Sequence, residues 1–183
     1  MNTHNNTEII LIKLFGSNPE SNNSWAKVSS SKAFDVYKYK WYLGKNGYPY
    51  SFINGTRVPL HRFIWWINTK IWSNNTIKSD GSIGKLYIDH INRDKLDATD
   101  SNLRLSTPAE NSYNKTSKSS KSLIDPITSE PIHHIKLLKS GYSISLSKNG
   151  KISTINKIKN LNEAKEIYNM MAYELFGEFA VLY

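Results

Sequence analysis

The alternation of hydrophobic and polar residues predicts a sheet in the first half of the chain. In "YKYKWYL", residues 37–43, large aromatic residues alternate with lysines, a period of two that is typical of a half-buried strand. The turn "GKNG" and the return strand "YPYSFI" follow, and Asn54-Gly55 then predicts a tight hairpin into "TRVPL". Together these segments predict a three-stranded meander.

A helical period replaces this alternation in "LHRFIWWINTKIW", which begins at Leu60. Its apolar residues recur at the spacing of one face of an amphipathic helix. That face comprises Leu60, Phe63, Ile64, Ile67 and Ile71. Three tryptophans widen the face, and we expect their rings to belong to the core rather than to a ligand platform. They are Trp65, Trp66 and Trp72.

Residues 85–116 follow a different pattern, in which two short apolar runs flank a polar connection. "KLYIDHI" and "LRLS" predict strands, and "NRDKLDATDSN" between them predicts a loop. "STPAENSYN" predicts a helix start, with Ser106 or Thr107 as the N-cap and Pro108 at the first helical position. The predicted order is therefore strand, loop, strand and helix.

The last third of the chain predicts a small sheet and a closing helix. The strands are "HHIKLL", "YSISLS" and "KISTIN", and the helix spans about Leu161–Phe176. The expected fold class is α+β: a β-meander plus helix, the strand-loop-strand-helix unit, and a three-stranded sheet plus helix. The predicted domains are a loose N-terminal arm around one short strand or helix (1–24), a first domain (25–116, its compact core at about 85–116), a Ser/Lys-rich linker (117–125) and a second module (126–183).

The positive net charge of the chain indicates which class of partner it could bind. The net charge is +9, from 24 Lys and Arg against 15 Asp and Glu. Residues 25–114 carry 13 basic against 7 acidic side chains, and residues 115–183 carry 10 against 6. A positive field spread over both segments suits a polyanion such as nucleic acid. On charge alone, a basic surface that only keeps the protein soluble is an equal alternative.

Sequence signals for disulfides, membranes and secretion are missing. The chain has no cysteine, so it has neither a disulfide framework nor a thiolate zinc site. No apolar run approaches the roughly 20 residues of a membrane span. The N-terminus lacks the basic region and the cleavage site of a signal peptide. We therefore expect an intracellular protein without a membrane partner.

Four polar residues in the strand-loop-strand-helix unit have the chemistry of a hydrolytic site. Metal-assisted cleavage of a phosphodiester needs a hard cation on oxygen ligands and a base that is neutral near pH 7. Asp89 and His90 end the first strand, and neighbours on a strand point to opposite faces. Asp89 would therefore bind the metal while His90 points toward the attacking water. Asn102 would hold the loop and the His90 ring, and Asn111 would be the second metal ligand.

The segment "IDHINRDKLDATDSNLRLSTPAENSYN" resembles the HNH nuclease motif, specifically that of the homing endonucleases of phage introns and large DNA viruses. "VPLHRFIWW" also resembles the His-Arg helix that precedes the motif there. The resemblance covers about residues 37–116. It implies a ββα-metal fold with His90 as general base, Asp89 and Asn111 as ligands of Mg²⁺ (or Mn²⁺), and Asn102 as the orienting residue. Many HNH proteins have His where this chain has Asn111.

The resemblance also implies double-stranded DNA as the partner. The candidate DNA contacts are Arg62, Arg93, Arg104, Lys115, Lys118, Lys136, Lys139, Lys148 and Lys151. Beside Arg62, His61 could cap the rear of the site or be an ordinary buried histidine, and His133-His134 is expected to be structural. A Ca²⁺-binding loop is excluded, because the sixth position counted from Asp89 is Asp94 instead of Gly.

The C-terminal segment, and above all "NEAKEIYNMMAYELFGEFAVL", resembles the Apetala/ethylene-response-factor DNA-binding module. It lacks the Arg and Trp residues with which strands of that family face DNA, so a module that only packs is an alternative. For the whole chain two alternatives to a homing nuclease remain. One is a DNA-binding protein with an inert HNH site, and the other is a toxin nuclease without sequence preference.

Overall fold

The computed structural model describes residues 8–16, 23–71, 75–77, 83–113 and 123–183. Its fold is α+β, as predicted, with several small antiparallel sheets and few helices. Backbone contacts divide the chain into two compact units, Met1–Pro108 and Ala109–Tyr183. Among the described helices, none has the length and the apolar character needed to cross a membrane.

The first unit pairs its strands in four antiparallel sheets within the described residues. The strands are β1 (Ile9–Lys13), β2 (Trp25–Ser29), β3 (Tyr42–Leu43), β4 (Pro49–Ile53), β5 (Thr56–Pro59), β6 (Asn75–Ile77), β7 (Ile83–Lys85), β8 (Tyr87–His90) and β9 (Leu103–Ser106). Two of the sheets are the pair β1–β2 and the meander β3–β4–β5, and the other two are the pairs β6–β7 and β8–β9. The helices are α1 (Ala33–Val36) and α2 (Leu60–Thr69), and α3 (Pro108–Tyr113) begins at the boundary with the second unit.

The meander and its hairpin are confirmed, and the turn has the expected backbone. Asn54 and Gly55 have φ angles of 49° and 75°, which match the right-handed twist of the strands that they connect. The predicted first strand is wrong over residues 37–41, because only Tyr42–Leu43 forms a strand. The indole of the buried Trp41 donates a hydrogen bond to the carbonyl of Val36 at 2.9 Å, so the chain turns between them.

The predicted helix is confirmed as α2, which buries Leu60, Phe63 and Ile64. Ile67, Trp65 and Trp66 pack against the same core. The prediction for Ile71 is wrong, because the helix ends at Thr69 and the next residue, Lys70, is left-handed (φ 58°). Ile71 is 55% exposed. Trp72 lies outside the described residues.

The short strand or helix expected in the N-terminal arm is a strand, β1. It pairs along its whole length with β2, and Ile12 is buried, as is Leu14 just beyond the strand. These residues join α2, Val28 and Trp41 in one hydrophobic cluster. The described part of the arm is therefore integral to the core of the first unit.

The second unit has the predicted sheet and helix. The hairpin β10 (Leu123–Ile124) and β11 (Pro131–Ile132) precedes the sheet, whose strands are β12 (Ile135–Leu138), β13 (Gly141–Lys148) and β14 (Lys151–Ile158). The helix α4 spans Leu161–Phe176, and the side chain of its N-cap, Asn160, accepts a hydrogen bond from the backbone of Glu163. Ala164, Tyr168 and Ala172 bury one stripe of α4. The predicted linker lies mostly outside the described residues.

Two turn glycines of this sheet make a testable contrast. At Gly141 (φ +118°) an added Cβ would lie 2.5 Å from the carbonyl oxygen of Ile158, whereas at Gly150 (φ +77°) it would meet nothing within 4 Å. Gly141→Ala should lower the free energy of unfolding by about 2–4 kcal/mol, through strain and overlap. Gly150→Ala should lower the free energy of unfolding by about 1–2 kcal/mol, because a residue with a Cβ disfavours the positive φ even where it meets no neighbour. Chemical denaturation of both variants checks this, and equal losses would contradict it.

Candidate active site

The pairing of β8 with β9 separates the roles of two adjacent residues. Asp89 lies opposite Arg104 and His90 opposite Leu103. Asp89 and His90 are both buried, at 8% and 4% exposure. Oδ2 of Asp89 accepts hydrogen bonds from Nη2 and Nε of Arg104 at 3.0 and 3.1 Å. The carboxylate is thus held by a fixed cation.

The His90 ring lies in an aromatic pocket. The ring of His61, on the first turn of α2, is 5.1 Å from that of His90 between centroids, at an interplanar angle of 66°. The Tyr48 ring is 5.2 Å from His61 and 5.8 Å from His90. The meander, α2 and β8 therefore each contribute one ring to a single cluster.

Burial sets the protonation of the two imidazoles. It lowers the pKa of His90, and the nearby Asp89 carboxylate opposes this only partly. Burial, the neighbouring His90 and then Arg62 lower the pKa of His61 to about 3. Both rings are therefore neutral near pH 7, where a neutral imidazole can accept a proton. His61 Nδ1 is buried and has no hydrogen-bond partner within the described residues.

Asn102 closes the loop that follows His90. Its Oδ1 accepts a hydrogen bond from the backbone of Asn92 at 2.9 Å. Its Nδ2 donates to Asn92 Oδ1 at 3.0 Å and to the carbonyl of Asp97 at 2.7 Å. These three bonds join both ends of the loop, as expected for a residue that positions it. A hydrogen bond from Asn102 to the His90 ring stays a prediction.

The same loop is anchored on β2. The Lys27 amide donates to the carbonyl of Leu96 at 2.7 Å, and the Ala98 amide donates to the carbonyl of Lys27 at 2.9 Å. Lys27 Nζ also lies 3.6 Å from Asp94. Since β2 belongs to the core, the position of the loop is set by the core.

Asn111 lies on α3, within the second compact unit, and is half-buried. The helix follows β9 after a single residue, Thr107, in the order that the sequence predicted. The role of Asn111 as a metal ligand stays a prediction.

The candidate DNA contacts differ in their surroundings. Arg104 binds Asp89, and the Lys148 ammonium donates to the carbonyl of Leu175, so the structure gives no support to these two as DNA contacts. Lys115 and Lys118 lie outside the described residues. The other five candidates are exposed: Arg62, Arg93, Lys136, Lys139 and Lys151.

Sequence reasoning missed Tyr48 and left His61 undecided. Tyr48 precedes a predicted strand, and nothing in its local pattern indicates contact with a residue 42 positions later. For His61 the signal is its place on the apolar helix immediately before Arg62. The pKa of Tyr48 is raised by burial and then by the Asp89 charge, so its hydroxyl stays protonated beside the site.

The chemistry of the available side chains indicates which metal ion they could bind. Among the residues that the structure describes, no cluster of three or more His, Cys, Asp or Glu side chains could hold one. The predicted pair is one carboxylate, Asp89, and one amide, Asn111. These hard oxygen donors fit Mg²⁺, which keeps several waters and takes further ligands from substrate phosphates.

Comparison with known proteins identifies a relative. A protein of Acanthamoeba polyphaga mimivirus described as an uncharacterized HNH endonuclease is 42% identical over 158 residues, which make up 86% of this chain and 73% of that protein. No family model matches the chain, and no solved structure matches it significantly. The comparisons give no support to the resemblance of the C-terminal segment to the Apetala module, which stays a prediction.

The buried His61 predicts how stability depends on pH. Below about pH 6.5 the unfolded chain protonates this histidine, whereas the folded protein keeps it neutral down to about pH 3. The unfolded state then binds more protons, so acidification should lower the free energy of unfolding by up to about 1.4 kcal/mol per pH unit for this residue. Urea denaturation at several pH values should show this slope, and His61→Gln should flatten it. An unchanged slope in the variant would contradict the lowered pKa.

Proposed function

Because this chain belongs to the HNH endonuclease family, we propose that it cleaves double-stranded DNA by metal-assisted hydrolysis of a phosphodiester, with His90 as the general base. One observation carries the proposal. Adjacent residues of β8 present a carboxylate fixed by Arg104 and a neutral imidazole in an aromatic pocket. These are the two chemical groups that such a reaction requires.

His90 acts on the attacking water. Its neutral ring accepts the proton as the water oxygen approaches phosphorus, and burial keeps the ring neutral at physiological pH. Tyr48 and His61 restrict the orientation of the ring by packing on it. Asn102 positions the loop that begins directly after the ring.

Asp89 and Asn111 are the residues that would hold the cation, Mg²⁺ or alternatively Mn²⁺. A bound divalent cation neutralises charge on the phosphate and on the leaving oxygen. Nε and Nη2 of Arg104 both donate to Oδ2 of Asp89. Arg104 then serves to orient this carboxylate, and it is not counted among the DNA contacts.

We further propose a homing role inside a cell, with the second unit contributing DNA affinity. The exposed lysines of that unit, Lys136, Lys139 and Lys151, are on or beside the three-stranded sheet β12–β14. Cations of this kind would contact phosphates without reading sequence.

The ion pair of Arg104 with Asp89 favours a second candidate, a DNA-binding protein whose HNH site is inert. A guanidinium already neutralises the carboxylate there, at 3.0 Å. Incubation of supercoiled plasmid with the full chain and Mg²⁺ or Mn²⁺, with and without chelator, separates the candidates. Nicking that requires the metal supports the enzyme, whereas binding without nicking supports the inert protein.

Replacing the base should stop cleavage but not binding. His90→Ala should lower the rate of plasmid nicking by about 10²–10⁴, the usual effect of losing a general base. DNA affinity should stay within a few-fold, since the ring acts on water. The matched control is His134→Asn, an exposed histidine whose left-handed φ of 66° suits Asn. Normal nicking by His90→Ala would refute the assignment.

Replacing a metal ligand should raise the metal requirement. Asp89→Ala or Asn111→Ala should increase the Mn²⁺ concentration for half-maximal nicking about tenfold or more, because the site has few protein ligands. Calorimetric titration of Mn²⁺ gives a readout that is independent of activity. The control for loss of a carboxylate is Asp35→Asn, since Asp35 lies on α1 and is paired with Lys38. Full cleavage in excess chelator would exclude a metal mechanism.

A further inference from the structure

A groove on the meander ends at the His90 pocket. A depression of about 350 Å³ is lined by Asn46, Tyr48, Tyr50, Arg57, Pro59 and His61. A second depression of about 640 Å³ shares Asn46, Tyr50 and Arg57 with the first, and extends past Tyr42 and Lys45. Because the two depressions share these three residues, we call them together the hairpin groove. Its inner end is made by Tyr48 and His61, whose rings contact His90.

Arg57 is held in place within the hairpin groove. Its guanidinium carbon lies 3.8 Å from the centroid of the Tyr50 ring. On another side its Nη2 lies only 2.8 Å from where a Cβ of Gly44 would be, so it packs against the glycine backbone. A guanidinium fixed in this way can bind an anion with little further loss of conformational entropy.

A second cation stands at the inner end. Nζ of Lys95, from the loop after His90, donates to the Asn46 carbonyl at 2.9 Å and lies 4.7 Å from the centroid of Tyr48. None of the described residues that line the groove is acidic. The groove therefore combines fixed positive charge with half-buried aromatic rings.

We propose that the hairpin groove binds the DNA strand adjacent to the bond that is cut, with Arg57 on a backbone phosphate and Tyr50 and Tyr42 against the deoxyribose sugars. This inference rests on the proposed function, since it places the reacting phosphate at His90. An arginine beside aromatic rings matches a duplex backbone, in which charged phosphates alternate with the less polar deoxyribose sugars. The groove begins at the His90 pocket, so the phosphates that follow the reacting one along the strand enter it.

The test compares Arg57→Gln with Lys38→Gln in the full chain. Lys38 is an exposed lysine two residues after α1 that is paired with Asp35 and does not line the groove. Each variant loses one positive charge. Affinity for a labelled duplex in chelator is measured across a series of salt concentrations, and nicking is measured with Mg²⁺. Arg57→Gln should weaken binding about tenfold and reduce the slope of log affinity against log salt by about 0.9, the value for one phosphate contact. Lys38→Gln should change the affinity and the salt slope by no more than about a third of the changes expected for Arg57→Gln.

A variant that keeps the charge sharpens the test. The added Cβ of Gly44→Ala would lie 2.8 Å from Arg57 Nη2, 2.8 Å from Asn46 Oδ1 and 3.0 Å from the Tyr48 carbonyl oxygen. The variant should therefore displace this part of the groove lining, including Arg57, and weaken binding without changing net charge. In a series of duplexes, one phosphate at a time is replaced by an uncharged methylphosphonate. Wild type should bind more weakly when the replaced phosphate lies next to the mapped nick. The affinity of Arg57→Gln should not change when that same phosphate is replaced. Indifference of the wild type at all such positions would overturn the inference.

The two proposals fail in different ways. If wild type nicks DNA while Arg57→Gln keeps its affinity and salt slope, the groove does not bind DNA and the proposed function stands. If wild type binds without nicking and Arg57→Gln weakens binding, the groove inference stands and the proposed activity fails. A wild type that neither binds nor nicks DNA overturns both.

Discussion

The first unit depends on how β2 satisfies the backbone of the loop after His90. Lys27 uses its own amide and carbonyl to bind Leu96 and Ala98, while β2 as a whole pairs with β1 on its other side. Buried peptide groups need such partners, because leaving one unpaired costs about as much as a hydrogen bond. The Asn102 side chain adds three bonds within the loop. Together they set where β8 ends and hence where Asp89 and His90 lie.

The two sides of β8 provide opposite electrostatic environments. Arg104 compensates the buried Asp89 carboxylate, because an unpaired charge there would carry a large desolvation cost. On the other side, Tyr48 and His61 surround His90 with rings that hold no charge near pH 7. One short strand thus presents an anionic group and a neutral base only one residue apart. This separation is what the proposed chemistry uses, and it relies on the cross-strand register of β8 and β9.

Local patterns predicted most elements of the fold and failed where distant contacts decide. The helices α2 and α4 and the hairpin at Asn54-Gly55 follow from periodicity and turn chemistry. The alternation in residues 37–41 predicted a strand that does not form, because the chain turns there and the Trp41 indole bonds the carbonyl of Val36. The alternation of apolar and polar residues does not indicate such a hydrogen bond. Likewise, the apolar Ile71 has helical spacing but lies beyond the left-handed Lys70 that ends α2.

For the candidate site, the sequence by itself determined the chemical groups. Asp89, His90 and Asn102 were predicted from their types and spacing within one supersecondary unit, where local geometry constrains which side chains come together. Only the tertiary structure decided that Arg104 binds Asp89, and that Tyr48 and His61 enclose His90. Those partners come from the meander, from α2 and from the facing strand. Their approach depends on how the core packs, which no local period in the sequence records.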